Sequence, residues 1–170
     1  MLKKALIFDF DLTLADSSQG IFQCVNYAMD MMGFRKFDYS SIKKLIGHSL
    51  AETFRILTGN NNIEDAERFK ALFTEHADRV MNDNTILFTE VYSIIPELKN
   101  EGLLLGIVST KYRYRIAGVL DRENLLKYFD CIVGGEDVKQ HKPSTEGLLL
   151  AVQQLNLNID EVIYIGDTLI

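Results

Sequence analysis

A chain of 170 residues that is 47% hydrophobic and 25% charged has the composition of a folded globular protein with one ordinary core, which excludes a disordered segment. A net charge of −6 argues against nonspecific nucleic-acid binding and leaves a small ligand, held by local cations or a metal, as the expected partner. No apolar run approaches the ~20 residues that cross a bilayer, and "MLKKALIF" reaches Asp9 too early for a signal-peptide apolar region, so a cytoplasmic location is expected.

The first element is a short apolar strand, Ala5 to Phe8, followed at once by Asp9 and Asp11. The next stretch shows no convincing strand and reads as helical. Ile21, Phe22, Val25, Ala28, Met29 and Met32 form one apolar stripe ending at Gly33, and Ala66, Phe69, Phe73, Ala77 and Val80 form another. Between them "SLAE" at 49–52 has the pattern of a capping box and starts a third helix carrying Phe54 and Leu57. Residues 16–85 therefore read as a helical insertion, and residues 1–15 and 86–170 as the core that surrounds it.

Beyond residue 85 the pattern alternates. A helix is predicted over Ile94 to Asn100, with Ser93 as its cap and Pro96 in its first turn, then a strand over Leu103 to Val108. A helix over Arg115 to Leu120, a strand at Cys131 to Val133, a helix over Thr145 to Leu155 and a strand over Val162 to Ile165 complete it. Continuous apolarity in strands separated by helices predicts a parallel α/β sheet covered on both faces. Cys24 and Cys131 lie in apolar surroundings without metal-ligand spacing and are expected to be small buried thiols.

Chemistry-bearing residues follow the strand ends, where parallel sheets bind ligands. Asp9 and Asp11 follow strand one, Ser109 and Thr110 strand two, Lys142 lies beyond strand three, and Asp167 follows strand four. Three carboxylates in one crevice call for a cation, and hard oxygen donors suit Mg²⁺. A carboxylate can attack phosphorus, a second carboxyl can protonate a leaving alkoxide, and an ammonium and a hydroxyl can hold phosphate oxygens. Lys111, Arg113 and Arg115 read as a solvated helix face.

"DFDLT", "IVSTK", "HKPS" and "YIGD", in that order, resemble the four motifs of the haloacid dehalogenase-like phosphohydrolases. The likeness is to the phosphoglycolate-phosphatase-like subgroup, which carries a helical cap. It implies a Rossmann-like parallel α/β core with an inserted α-helical cap, and a magnesium-dependent hydrolase of small phosphomonoesters such as phosphoglycolate or sugar phosphates. It further implies that Asp9 becomes a phosphoaspartate, that Asp11 is acid and then base, and that Thr13 supports the loop. Ser109, the hydroxyl that the family pattern selects, and Lys142 would position phosphate, with Thr110 beside it a further candidate. Asp9, the backbone carbonyl of Asp11 and Asp167 would hold Mg²⁺. Asp16 and Ser17 match the turn into the cap, and in similar proteins the "LIGHS" turn faces the active site, making Lys44 and His48 candidate substrate contacts.

Two departures stand out. Residue 12 is Leu where many members have Gly, and the chain ends at "GDTLI", before a further acid of the family's last motif. A carboxyl-terminal strand and helix of the family are expected to be missing, leaving strand four as an exposed edge open to self-association. The alternatives are a sugar-phosphate mutase sharing the phosphoaspartate, and a noncatalytic truncated binding or signalling domain.

Overall fold

The computed structural model describes residues 3–168. Strand β1 (Ala5–Phe8) leads through a tight turn to the two-residue β2 (Ala15–Asp16). Four helices follow: α1 (Ser18–Met31), α2 (Tyr39–Lys43), α3 (Leu50–Thr58) and α4 (Ile63–Val80). The chain returns through β3 (Ile86–Leu87) and continues as α5 (Val91–Asn100), β4 (Leu104–Val108), α6 (Arg113–Arg122), β5 (Cys131–Val133), α7 (Glu146–Gln154) and β6 (Val162–Ile165).

The four long-range strands form one parallel sheet in the order β5-β4-β1-β6. β1 pairs Ala5 with Leu104 on one side and with Val162 on the other. Phe8, Leu105 and Ile107 face a cluster built with Val91 and Ile95 of α5 and Ile116, Val119 and Leu120 of α6. Ala5, Ile7 and Val108 face the opposite cluster, with Ala151, Val152 and Leu155 of α7. Burial of both faces is why these strands read as continuous apolar runs. Both cysteines are buried free thiols.

The helices between β2 and β3 have their own core, in which Met29, Ile42, Phe54 and Phe69 bring together α1, α2, α3 and α4. Phe54 and Phe69 pack with ring centroids 5.3 Å apart. Two local readings of the sequence are corrected. A fourth helix, α2, lies where none was expected: the Asp38 side chain accepts from the Ser41 amide and starts it, but five residues are too few to show a period. The stretch after β1 also contains strand structure, since β2 and β3 pair antiparallel, Ala15 opposite Leu87, and form the stem of the helical insertion. Ser49 accepts from the Glu52 amide as a capping box requires, whereas the Glu52 carboxylate turns outward to Arg55.

α5 begins earlier than its pattern suggested, at Val91, so Ser93 lies inside it and does not cap it, and Pro96 sits in the interior. The proline removes one helical donor.

Gly106 sets how closely the sheet packs. A Cβ there would stand 2.8 Å from Cys131 Sγ and 3.3 Å from Ile7 Cγ1, in a core that tolerates little added volume. Gly106→Ala is expected to lower stability by about 1–3 kcal/mol in denaturant melts with an unchanged m-value. Adding Cys131→Ala is expected to return part of that loss, because the two side chains compete for the same space.

Candidate active site

The Asp9 amide donates to the Ile165 carbonyl at 2.8 Å, extending the β1–β6 ladder as far as the aspartate. Phe10 is fully buried in the cluster that holds Phe8 and pins the residue between the two carboxylates. The chain then turns sharply, with the Phe10 carbonyl accepting from the amides of Thr13, Leu14 and Ala15. Leu12 sits in the left-handed region, φ +63°, which costs a non-glycine residue about 1–2 kcal/mol. Its departure from the usual glycine therefore has a structural consequence: this loop holds a strained conformation that glycine adopts freely.

The two aspartates are nearly buried, 6% and 8% exposed, and each has its own partners. Asp9 Oδ1 accepts from the Phe10 amide at 2.6 Å, while Oδ2 lies 2.5 Å from Lys142 Nζ. That contact is a close ion pair without well-aligned hydrogen-bond angles, and Nζ also lies 5.6 Å above the Tyr164 ring. Burial pushes the Asp9 carboxyl above the ordinary aspartate value, with Lys142 and the Phe10 amide pulling it back and Asp11 adding to the rise. On Lys142 burial opposes charge, but Asp9 and Tyr164 outweigh it and raise its value. The ammonium is thus the secure member of the pair, and the carboxylate is the one that surrenders its charge first.

Asp11 Oδ1 accepts from Ser17 Oγ and from Lys111 Nζ, the latter at 2.9 Å. Among the described residues no protein donor reaches Oδ2, which leaves that oxygen available for proton transfer. Ser109, also buried, follows β4. Its Oγ accepts from the Lys111 amide at 3.2 Å, so the hydroxyl proton remains free to donate. The loop is held from behind by Gly135, whose amide donates to the Lys111 carbonyl at 3.0 Å. A Cβ at Gly135 would come within 2.4 Å of the Thr110 carbonyl oxygen.

Lys111 is not part of a solvated face. Its side chain is 5% exposed and paired with Asp11. The loop after β4, and not its spacing in the sequence, turns it inward. Arg115 is also nearly buried: it ties α6 to the cap, pairing with Asp78 at 2.6 Å and donating to the Thr74 carbonyl at 3.1 Å. Tyr114 OH donates to the same Asp78. Ser17 spends its hydroxyl on Asp11, and the Asp16 carboxylate accepts from the Ser18 amide at the start of α1.

The remaining candidates fall at varied distances from the carboxylates. Asp167 is exposed, with Oδ1 3.5 Å from Thr13 Oγ1, at the outer limit of a hydrogen bond. Gly166 packs beside Asp9, its virtual Cβ 3.6 Å from the Asp9 Cβ. Among the described residues no three His, Cys, Asp or Glu side chains converge as a metal cluster. Two carboxylates and the Asp11 carbonyl, the set the motifs select, would not form such a cluster.

A cavity of about 70 Å³ opens between sheet and cap, lined by Asp11, Thr110 and Lys111 from the core and by His48, Thr53 and Phe73 from the cap. Lys44 is exposed and does not line it. A groove of about 320 Å³ beside Lys142 and Tyr164 is likewise not lined by Asp9, whose carboxylate is covered by the ammonium.

The sequence profile of haloacid dehalogenase-like hydrolases matches residues 6–170. The chain belongs to that family. A pyrophosphatase, PpaX, from Listeria monocytogenes is 34% identical over 163 residues, covering 95% of this chain and 73% of that protein. A phosphoglycolate phosphatase from Salmonella typhi is 27% identical, covering 97% of this chain and 74% of its own length. The solved structure of a haloacid dehalogenase-like hydrolase from Bacteroides fragilis superposes with a TM-score of 0.94 at 44% identity, covering 98% of this chain and 79% of that one. The first two relatives are named as a pyrophosphatase and a phosphatase, and the chain is a hydrolase of that phosphatase class. Among the described residues no helix is long and apolar enough to cross a membrane.

With Lys142 as the side-chain cation that lowers the Asp9 value, its removal leaves only the Phe10 amide to oppose burial. Lys142→Met is expected to move the acid limb of the kcat/KM profile to higher pH, in addition to lowering its plateau. A pH series on both proteins checks this, and an unmoved limb would show that Asp9 does not control it.

Proposed function

We propose that this chain is a magnesium-dependent phosphatase of small phosphomonoesters that works through a phosphoaspartate on Asp9, with residues 16–85 acting as a cap over residues 1–15 and 86–170. The observation that carries the reading is the division of labour between the two carboxylates: Asp9 is held by Lys142, Asp11 by Ser17 and Lys111. Two titratable groups so differently placed suit two different roles.

In this reading an Asp9 oxygen attacks phosphorus as the bond to the leaving oxygen breaks, and Asp11 gives that oxygen its proton. Asp11 then takes a proton from a water that attacks the phosphoaspartate, releasing inorganic phosphate and restoring both carboxyl groups. Lys142 moves from Asp9 to share the phosphoryl oxygens, and the free Ser109 proton donates to them, which stabilises charge where it develops. Thr110 lies beside Ser109 in the same loop.

The residues fit a divalent cation. The available donors are all hard oxygens, and burial lifts the Asp9 carboxyl despite Lys142, so the site is short of positive charge. Asp9, the Asp11 carbonyl and Asp167 would hold Mg²⁺, with Thr13 supporting the loop. When bound, the ion supplies charge neutralisation that lets one anion approach another.

The test is Mg²⁺-dependent release of phosphate from p-nitrophenyl phosphate. Asp9→Asn is expected to lower the rate by a factor on the order of 10³ or more, and chelation is expected to abolish it reversibly. Undiminished hydrolysis by the variant would overturn the nucleophile. Conversion of a hexose 1-phosphate to its isomer without phosphate release would favour the mutase.

A further inference from the structure

The proposed reaction uses Asp11 twice, first as an acid and then as a base, and each use needs one of its oxygens aimed at the reacting atoms. A carboxylate left to itself has no fixed aim, because its terminal torsion is soft and roughly two-fold and its oxygens exchange places. Here the two oxygens are not equivalent. Ser17 Oγ and Lys111 Nζ both donate to Oδ1, which fills the two lone pairs that one carboxylate oxygen carries. Among the described residues no protein donor reaches Oδ2.

The two donors come from different segments, and each is itself fixed. Ser17 is fully buried and stands where α1 would take its cap, yet its side chain makes no capping bond. The Asp16 carboxylate accepts from the Ser18 amide in its stead. A serine cap stabilises a helix by about 1 kcal/mol, so turning this hydroxyl to Asp11 forgoes a contribution to helix stability. The Lys111 main chain is gripped on both sides, its amide donating to Ser109 Oγ at 3.2 Å and its carbonyl accepting from the Gly135 amide at 3.0 Å. Its side chain is 5% exposed and ends with Nζ 5.9 Å from the centre of the Phe10 ring. Phe10 is the fully buried residue between the two aspartates, so the ammonium rests against the same turn that carries Asp11.

We infer that Lys111 and Ser17 are positioning residues: by occupying Oδ1 together they hold the Asp11 carboxyl in one orientation and reserve Oδ2 for the proton. The inference deepens the phosphatase reading and rests on it. In the first step the Oδ2–H bond breaks as the bond from phosphorus to the leaving oxygen breaks; the proton goes to that oxygen and the electron pair stays on Asp11. In the second, water gives a proton to Oδ2 while its oxygen bonds phosphorus and the bond from phosphorus to Asp9 breaks. Neither Lys111 nor Ser17 surrenders a proton in either step.

The test compares kcat/KM, with Mg²⁺, for two substrates of similar size. The nitrophenolate of p-nitrophenyl phosphate leaves without a proton, whereas the alkoxide of benzyl phosphate needs one. Asp11→Asn sets the scale for complete loss of the acid and is expected to slow benzyl phosphate by a factor on the order of 10² more than p-nitrophenyl phosphate. Lys111→Met is expected to slow benzyl phosphate about tenfold more than p-nitrophenyl phosphate, and Ser17→Ala severalfold more. Ser17 carries no charge, so a selective loss in its variant separates aim from charge stabilisation. A side chain that only supports the fold would slow both substrates alike.

Equal losses on the two substrates in Lys111→Met and Ser17→Ala, with Asp11→Asn still discriminating between them, would overturn the inference and leave the phosphatase reading standing. If Lys111→Met does not fold, Ser17→Ala decides by the same ratio. Hydrolysis of neither substrate by the native chain, or equal slowing of both by Asp11→Asn, would instead remove the phosphatase reading and the inference with it.

Discussion

Two carboxylates stand at the end of a strand buried on both faces, and their desolvation governs the surrounding structure. An unpaired buried carboxylate is expensive, and two of them two residues apart repel as well. The fold answers with two lysines from different connections: Lys142, carried by the segment between β5 and α7, covers Asp9, and Lys111, from the loop after β4, bonds Asp11. Neither lysine neutralises its site fully. Asp9 remains lifted by burial, and Lys111 keeps donors to spare. That incomplete compensation makes the arrangement read as a site, since a buried ion pair kept for structure would close its hydrogen bonds.

The sheet order brings those lysines within reach. With β1 between β4 and β6, the loops after β4 and β6 flank the aspartates, and β5 lies one strand further out. Gly106 lets β4 pack closely against its surroundings, and Gly135 and Gly134 let Thr110 and Arg113, respectively, sit against the turn after β5. The helices between β2 and β3 are joined to this core by the short β2–β3 stem and by Arg115 and Tyr114 meeting Asp78.

Much of this was legible in the sequence, for physical reasons that vary by element. The four sheet strands announced themselves because burial on both faces demands uninterrupted apolar residues, and Ala5–Phe8, Cys131–Val133 and Val162–Ile165 match their expected bounds. β2 and β3 did not, because two residues carry no period, and α2 was hidden for the same reason. Pro96 misled about α5 because a proline in the first turn is so much cheaper than one inside a helix. Lys111 and Arg115 were read as surface charge because long cations usually are; only the loop geometry turned one toward Asp11 and the other toward Asp78. Lys44 and His48 lie four residues apart near one turn, and nothing in their spacing told which would line the cavity.

The proposed chemistry turns on a covalent bond between phosphorus and one particular oxygen, and it can be looked for directly. Asp11→Asn, incubated briefly with Mg²⁺ and a substrate having a good leaving group, should form the acyl phosphate while lacking the base that hydrolyses it. Acid quenching followed by peptide mass analysis should then find one added phosphoryl group on Asp9. A phosphoryl on any other residue, or steady hydrolysis with none on the protein at any time, would contradict the account.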